Sequence, residues 1–316
     1  MTISGGYGLA VGTTKTGPDS SGTQIARQTG NLNFAGTEDL GGGLKASFLT
    51  DIQVGGRQDI TTRQELGTAS GQTTSVASQA KAGGVWGRNA TISLAGGFGT
   101  VTGGRVESTN LMQSAQLAGA SLNDGFDKGG LAGAVSNYNT VSYTSPAFNG
   151  FTVGVAQLKS LNDKFAPAAG VVNAETTSNV LSASYANGPL VAGFAHKAVD
   201  AANTTKGKKN ELFATYDLGV AKVGLGYGKN SGAAYVNEKA TVIASAVVPM
   251  GAFSVGADYA VRAAGGASAA VDGKGYAVAA NYMLSKRTKI NATVGKLEGT
   301  GLVGESQYRV GLFHNF

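Results

Sequence analysis

Along much of this chain, side chains alternate between apolar and polar with a period of two, in short segments separated by turn residues. Leu32 and Phe34 stand against Asn31 and Asn33. Val141 and Tyr143 stand against Thr140, Ser142 and Thr144, while Ala46, Phe48 and Ile52 oppose Lys45, Ser47, Asp51 and Gln53. Side chains on a strand point alternately to its two faces, so each such segment reads as a strand with one apolar and one polar face. That pattern fits either a half-solvated sandwich or a barrel with lipid outside and water inside.

The connections distinguish the two. Segments at about 3–11, 31–38, 44–53, 87–94, 100–107, 140–145 and 151–160 are joined alternately by tight turns and long polar stretches. Tight turns fall at Asp39-Leu40-Gly41-Gly42-Gly43, Ala95-Gly96-Gly97-Phe98-Gly99 and Pro146-Ala147-Phe148-Asn149-Gly150. Others fall at Asn187-Gly188-Pro189, Asp217-Leu218-Gly219, Pro249-Met250-Gly251 and Ser285-Lys286-Arg287. Long loops run to about residue 27, across 54–86 and across about 108–137. The last segment, 306–316, carries Tyr308, Val310, Leu312, His314 and Phe316 on one face and Arg309, Gly311, Phe313 and Asn315 on the other. Sixteen segments, short turns at one end, long loops at the other and a chain ending in a strand predict an all-β fold. It is a 16-stranded antiparallel transmembrane β-barrel forming one domain over 1–316.

Composition agrees. Charged residues are 14% against an ordinary share of about 25%, and mean hydropathy is -0.01, as expected when lipid-facing and water-facing residues alternate. No apolar run approaches the roughly 20 residues of a membrane-spanning helix. With no cysteine, disulfides and thiolate metal sites are excluded. The net charge of +6 comes from scattered Lys and Arg without a basic run interleaved with aromatics, so nucleic acid is not an expected partner. Met1-Thr2-Ile3-Ser4 lacks the charged start and apolar core of a signal peptide, and an exported chain of this sequence is read as the mature form. A single Trp, Trp86, leaves aromatic girdles to the 11 Tyr and 12 Phe.

Six elements in order resemble the trimeric general porins of Gram-negative outer membranes, of the β-proteobacterial and neisserial type. Phe34-Ala35-Gly36-Thr37-Glu38-Asp39-Leu40-Gly41-Gly42-Gly43-Leu44-Lys45-Ala46 is similar to that family's second hairpin. Arg88, Leu94-Ala95-Gly96-Gly97-Phe98-Gly99 and Gly104-Arg105 resemble its fourth and fifth strands. Ser142 to Phe151, Leu284-Ser285-Lys286-Arg287-Thr288 and the ending Gly311-Leu312-Phe313-His314-Asn315-Phe316 match further elements. The resemblance implies a homotrimer in the outer membrane, passing small polar solutes and inorganic ions. It also implies contact with outer-membrane lipid, and a terminal Phe316 that signals to the barrel-assembly machinery. Its third loop would fold into the lumen and narrow it.

In such a channel, loop carboxylates face basic residues of the wall, and the field between them sets selectivity. Arg105 matches the family arginine before the third loop and is the expected basic member. Asp124 and Asp127 are the expected loop acids, with Glu107 at the entrance. Strand parity aims Arg105 with Val101 and Gly103 toward lipid, so a bulge or strand end has to re-aim it. Arg88 has the same parity problem, and its place at the loop end favours a role outside the constriction. Asn31, Asn33, Lys45 and Ser142 fall on the expected lumen wall. Asn31, Ala35 and Ser142 stand where the family often has arginine, which predicts a thinned cluster and weak ion selectivity.

Other chemistry is poorly supported. His196 and His314 are isolated in strands, and nothing calls for a serine–histidine hydrolase. Gly41 to Ser47 lacks the spacing of a phosphate loop, and Asn123 to Asp127 falls short of a calcium-loop pattern. No cofactor and no enzymatic activity are expected. The alternative function is a substrate-selective channel with a saturable solute site.

Overall fold

The computed structural model describes residues 1–16, 20–53, 89–108, 110–118, 136–160, 176–201, 205–233, 238–264, 272–299 and 305–316. Sixteen strands form a closed antiparallel barrel among them. They are β1 (Thr2–Thr16), β2 (Ser20–Gly41), β3 (Leu44–Gln53), β4 (Asn89–Gly96), β5 (Gly99–Ser108), β6 (Ser136–Thr144), β7 (Phe151–Ser160) and β8 (Thr176–Asn187). The second half comprises β9 (Leu190–Ala201), β10 (Thr205–Asp217), β11 (Lys222–Gly232), β12 (Glu238–Met250), β13 (Phe253–Ala264), β14 (Gly273–Met283), β15 (Thr288–Glu298) and β16 (Glu305–Asn315). Each strand pairs with its neighbours in sequence, and β1 pairs with β16.

The distribution of burial inverts that of a water-soluble protein. Ile92 is 67% exposed, Val141 65% and Leu225 63%, whereas Thr215, Asn291 and Thr293 are buried. Cross-strand contacts fix the faces: Ser93 and Thr102 hydroxyls meet at 2.8 Å on the inward side, as do Thr152 and Ser184 at 2.5 Å. An apolar exterior around a polar interior is stable when the exterior solvent is lipid. Toward the turns, Phe151 stacks near Tyr185 at 4.5 Å and Phe253 near Tyr282 at 4.7 Å. Toward the loops, Tyr227, Tyr259, Tyr276 and Tyr308 form a second outward row, all partly exposed. Tyr and Phe supply both girdles among the described residues.

Tight turns sit where the sequence places them. Asn149 and Gly150 have φ of 48° and 86°, the paired left-handed geometry that Asn-Gly adopts most readily, while Phe148 and Phe151 exchange two backbone hydrogen bonds of 2.8 Å. The strands, however, run past their expected ends. The stretch read as a polar loop to about residue 27 is largely strand, because β1 continues to Thr16 and β2 begins at Ser20, paired throughout. Apolar–polar alternation is absent from these residues in the sequence, while their backbone pairing persists.

Closure runs along the whole β1–β16 seam, from Thr16 opposite Glu305 to Gly6 opposite Asn315, and the last residue adds a final rung. Gly5 donates to the Phe316 carbonyl at 3.1 Å, and Phe316 donates to the Gly5 carbonyl at 3.0 Å. The Phe316 ring lies over Gly5, where an added Cβ would meet the Asn31 carbonyl oxygen of β2 first and come within 2.8 Å of the ring tip. Gly5→Val is therefore expected to cost roughly 1–3 kcal/mol through overpacking. The check is the fraction of refolded protein that migrates as a compact barrel in unheated gels, which should fall; an unchanged fraction would refute this account of closure.

Candidate functional site

After β5 the chain leaves the wall and crosses the lumen. Residues 110–118 lie against β10, β11, β12 and, more lightly, β9, on the side of the barrel opposite their strand of origin. A short 3-10 turn, Leu111–Ala115, shapes the segment. Gln113 and Gln116 donate backwards to the Asn110 and Gln113 carbonyls, each at 3.0 Å, and the Gln113 side chain caps the Asn110 amide at 3.2 Å.

The wall receives this turn on a stripe without side chains. Gly224, Gly226 and Gly228 occupy successive inward positions of β11. A Cβ on Gly226 would lie 2.5 Å from the Met112 carbonyl oxygen, and one on Gly228 would lie 2.6 Å from the Met112 sulfur. Gly224 meets the Ala115 carbonyl oxygen more closely still, and Gly256 on β13 meets the Ala118 Cα. Close approach lets Met112, Ala115 and Ala118 join Ile243, Ala260, Ala277, Ala279 and Leu297 in an apolar patch inside an otherwise polar lumen. Burying Met112 alone is worth about 1.5–3 kcal/mol.

Polar ties complete the attachment. Asp258, 3% exposed, accepts from the backbone N–H groups of both Leu117 and Ala118 at 3.2 Å. The Ser245 hydroxyl donates to the Ala115 carbonyl, and Lys209 Nζ donates to Asn110 Oδ1 at 2.5 Å. Hydrogen bonds to a charged acceptor contribute about 1.5–3 kcal/mol each.

Inward charges divide by side. On β9, β10, β13 and β16 the register turns Lys197, Lys209, Arg262 and Arg309 inward. Lys209 lies 3.4 Å from Glu211, its neighbour on the same face. Lys197 donates to the Tyr138 hydroxyl at 3.4 Å and sits 4.7 Å from its ring centre, a cation–π contact. Arg309 hydrogen-bonds Gln307. On β2–β4, Asn31 donates to Asn33 at 3.2 Å, Asn89 approaches Asp51 at 3.5 Å, and the Glu107 amide donates to Asn89 at 3.0 Å. Among the described residues, Lys197, Lys209, Arg262 and Arg309 thus share the loop-side half of the lumen with Asp51 and Glu211, Lys45, Lys222 and Lys289 lie on the same inward class nearer the turns with Asp39 and Asp217, and Asp258 is occupied by the loop.

Asn31, Asn33, Lys45 and Ser142 lie on the inward register class shared with Ser93 and Thr102. Arg105 lies in register with Ala90 and Asn139, directly after Gly104 at φ 135°; no register shift interrupts β5 there, so the bulge expected to re-aim it is absent and it keeps the outward class of Val101 and Val141. Its Nε is enclosed. Glu107 is two residues further on, still in β5 and in register with Asn137 on β6. Arg88, Asp124 and Asp127 lie outside the described residues.

Lys197, Lys209, Glu211, Asp258, Arg262, Arg309 and the β11 glycines were not singled out from sequence. Their signal is parity: Leu212, Ala214 and Tyr216 face outward, which leaves Lys209, Glu211 and Thr215 to face in. Similarly, Gly224-Leu225-Gly226-Tyr227-Gly228 has an apolar outward face and an empty inward one, which calls for something to fill it.

The family described as Gram-negative porin matches residues 1–302. An outer membrane porin protein of Bordetella pertussis is 30% identical over 216 residues, covering 62% of this chain and 50% of that protein. Outer membrane porin protein 32 of Delftia acidovorans is 28% identical over 229 residues, covering 68% and 57%. The chain therefore spans about half the length of these relatives. Among solved structures, the anion-selective porin from Comamonas acidovorans superposes with a TM-score of 0.68 at 24% identity, covering 100% of this chain and 99% of that one. A multiple mutant of Rh. blastica porin gives 0.65 at 18%, covering 100% of both. These likenesses are of fold.

Replacing Asp258 by Ala is expected to free the Leu117 and Ala118 amides, raising their hydrogen-exchange rates by about tenfold or more. Exchange unchanged at those two amides would show that the glycine seat alone holds the segment.

Proposed function

Because the chain belongs to the Gram-negative porin family and is an outer-membrane barrel, we propose that it serves as a passive, water-filled channel for small polar solutes and ions. The observation that carries this reading is the inward attachment of residues 110–118 to the far wall of a closed barrel whose interior is polar and charged. A segment crossing the lumen reduces its bore, so size limits passage. No energy source, cofactor or covalent step enters; solutes move down their own gradients.

Charge supplies a mild bias toward anions. Lys197, Lys209, Arg262 and Arg309 outnumber Asp51 and Glu211 on the inward face, and fixed charge in a narrow low-dielectric passage acts on every ion that enters. In this reading Asp124 and Asp127 supply the loop side with Glu107 at the entrance, Arg105, on the outward register class of Val101, stays outside the cluster of wall cations, and Arg88 has a role away from the constriction. The opposing acids, and the polar residues at Asn31 and Ser142, keep the bias weak. The homotrimer follows from the resemblance set out above, as does the role of Phe316 in recognition by the assembly machinery.

Planar-bilayer recording tests the reading. Stepwise insertion closing in three equal levels is expected, with reversal potentials giving a chloride-over-potassium preference on the order of two- to fivefold. Changing Lys209 and Arg262 together to Ser is expected to bring that ratio near unity. A well-folded protein without conductance would overturn the channel; a preference for potassium would overturn the assignment of the wall cations.

A further inference from the structure

Near the turns, a bare patch of wall faces the lumen between β15 and β2. Gly6 and Gly8 of β1 are inward and buried, in register with Asn315 and Phe313 of β16. Lys289 of β15 stands beyond Phe313, and Asn31 of β2 stands beyond Gly6. β15 and β2 are three strand spacings apart, about 14 Å along the wall, and their inward side chains converge, which leaves room for one small ring. Residues 110–118 dock on β9–β12, a different part of the wall.

Three chemistries meet there. The half-buried Phe313 ring leans toward Gly311, where an added Cβ would come within 2.9 Å of its edge, and gives the lumen an apolar surface. Lys289 Nζ lies 5.5 Å from the ring centre, and no carboxylate pairs with it among the described residues. Over Gly6, the Asn315 and Asn31 side-chain oxygens stand 2.6 and 3.5 Å from the position a Cβ would take. Asn31 Nδ2 donates to Asn33 at 3.2 Å, which holds the Asn31 oxygen toward Gly6. The recess thus offers acceptors at one end, a donor cation at the other and an apolar face between them.

We propose that this recess holds a sugar acid, a pyranose ring bearing a carboxylate. Its hydroxyls donate to Asn31 and Asn315, its C–H face packs on Phe313, and its carboxylate accepts from Lys289 in a charge-assisted hydrogen bond. A neutral sugar leaves Lys289 without an acceptor, and a small carboxylate reaches neither the ring nor the amide oxygens. Short turns mark the periplasmic end of such barrels, so the recess lies at the exit of the lumen. Conduction requires that a solute leave as readily as it enters, so occupancy is brief and binding is on the order of millimolar. The inference deepens the channel reading and rests on it.

Current through the protein reconstituted in planar bilayers, at constant ionic strength with glucuronate, glucose or acetate added to both sides, tests it. Glucuronate is expected to reduce the current saturably, with a half-maximal concentration about tenfold below that of glucose or acetate, a gap of about 1.4 kcal/mol. Lys289→Ala is expected to raise the glucuronate value about tenfold, to that of glucose, and Lys289→Arg to preserve it. Phe313→Leu and Asn31→Ala are each expected to raise the values for glucuronate and glucose alike by about threefold; the asparagine variant serves if Phe313→Leu fails to fold. Lys222→Ala, which removes an inward cation near the turns of β11, is the control and should leave the glucuronate response unchanged. Equal responses to glucuronate and acetate, a wild-type response in Lys289→Ala, or the same loss in Lys222→Ala overturns the proposal. Conductance recorded before any addition tests the channel separately: a conducting protein that glucuronate does not block has lost only the sugar-acid site.

Discussion

Every backbone N–H and C=O that enters lipid has to find its partner inside the protein, and for strands that condition is met only when the sheet has no edge. The pairing of β1 with β16 along their length, ending in the reciprocal bonds between Gly5 and Phe316, is where this chain satisfies it. The rest of the architecture follows. A closed sheet has two faces with different solvents, so apolar Ile92, Val141 and Leu225 point outward, and polar side chains, which would be costly in hydrocarbon, are confined within.

Confining polarity to the interior creates a second problem, because a segment inside the lumen has little apolar surface to pack on. The structure answers it locally. Removing side chains at Gly224, Gly226 and Gly228 brings backbone against backbone, and Ile243, Ala260, Ala277 and Ala279 give Met112 and Ala115 a dry patch. Asp258 adds a charged acceptor for two amides that would otherwise lose hydration as the segment docks. Apolar packing and a charge-assisted clamp thus act on the same short segment, while Lys197, Arg262 and Arg309 stay on the wall around it.

Much of the fold was legible because lipid imposes alternation on whatever it touches. Leu32, Phe34, Val141 and Tyr143 announce their strands, and the turns at Asn149-Gly150 and Asn187-Gly188 announce their hairpins. Strand ends were not legible where the sequence has no apolar alternation: Thr13 to Thr16 and Ser20 to Thr23 carry no apolar side chain, yet their backbones pair in register. The interior was harder still. Lys209 and Glu211 look like an ordinary solvated face, and Asp258 like any polar residue on a strand, until the partner arriving from residues 117 and 118 is known. Similarity directed attention to Arg105 and the loop acids, while parity, applied to β9 through β16, would have found the wall cations.

The docking of residues 110–118 has a consequence in time. The segment belongs to the first half of the chain, but Asp258 and the glycine seat belong to the second, with the Ala118–Asp258 bond spanning 140 positions. Contacts so distant in sequence form late, after the intervening chain has been ordered. The bore of the lumen is accordingly set only after β10 to β13 are in place, so a nascent barrel that stalls before those strands arrive would be wider and leakier than the finished one.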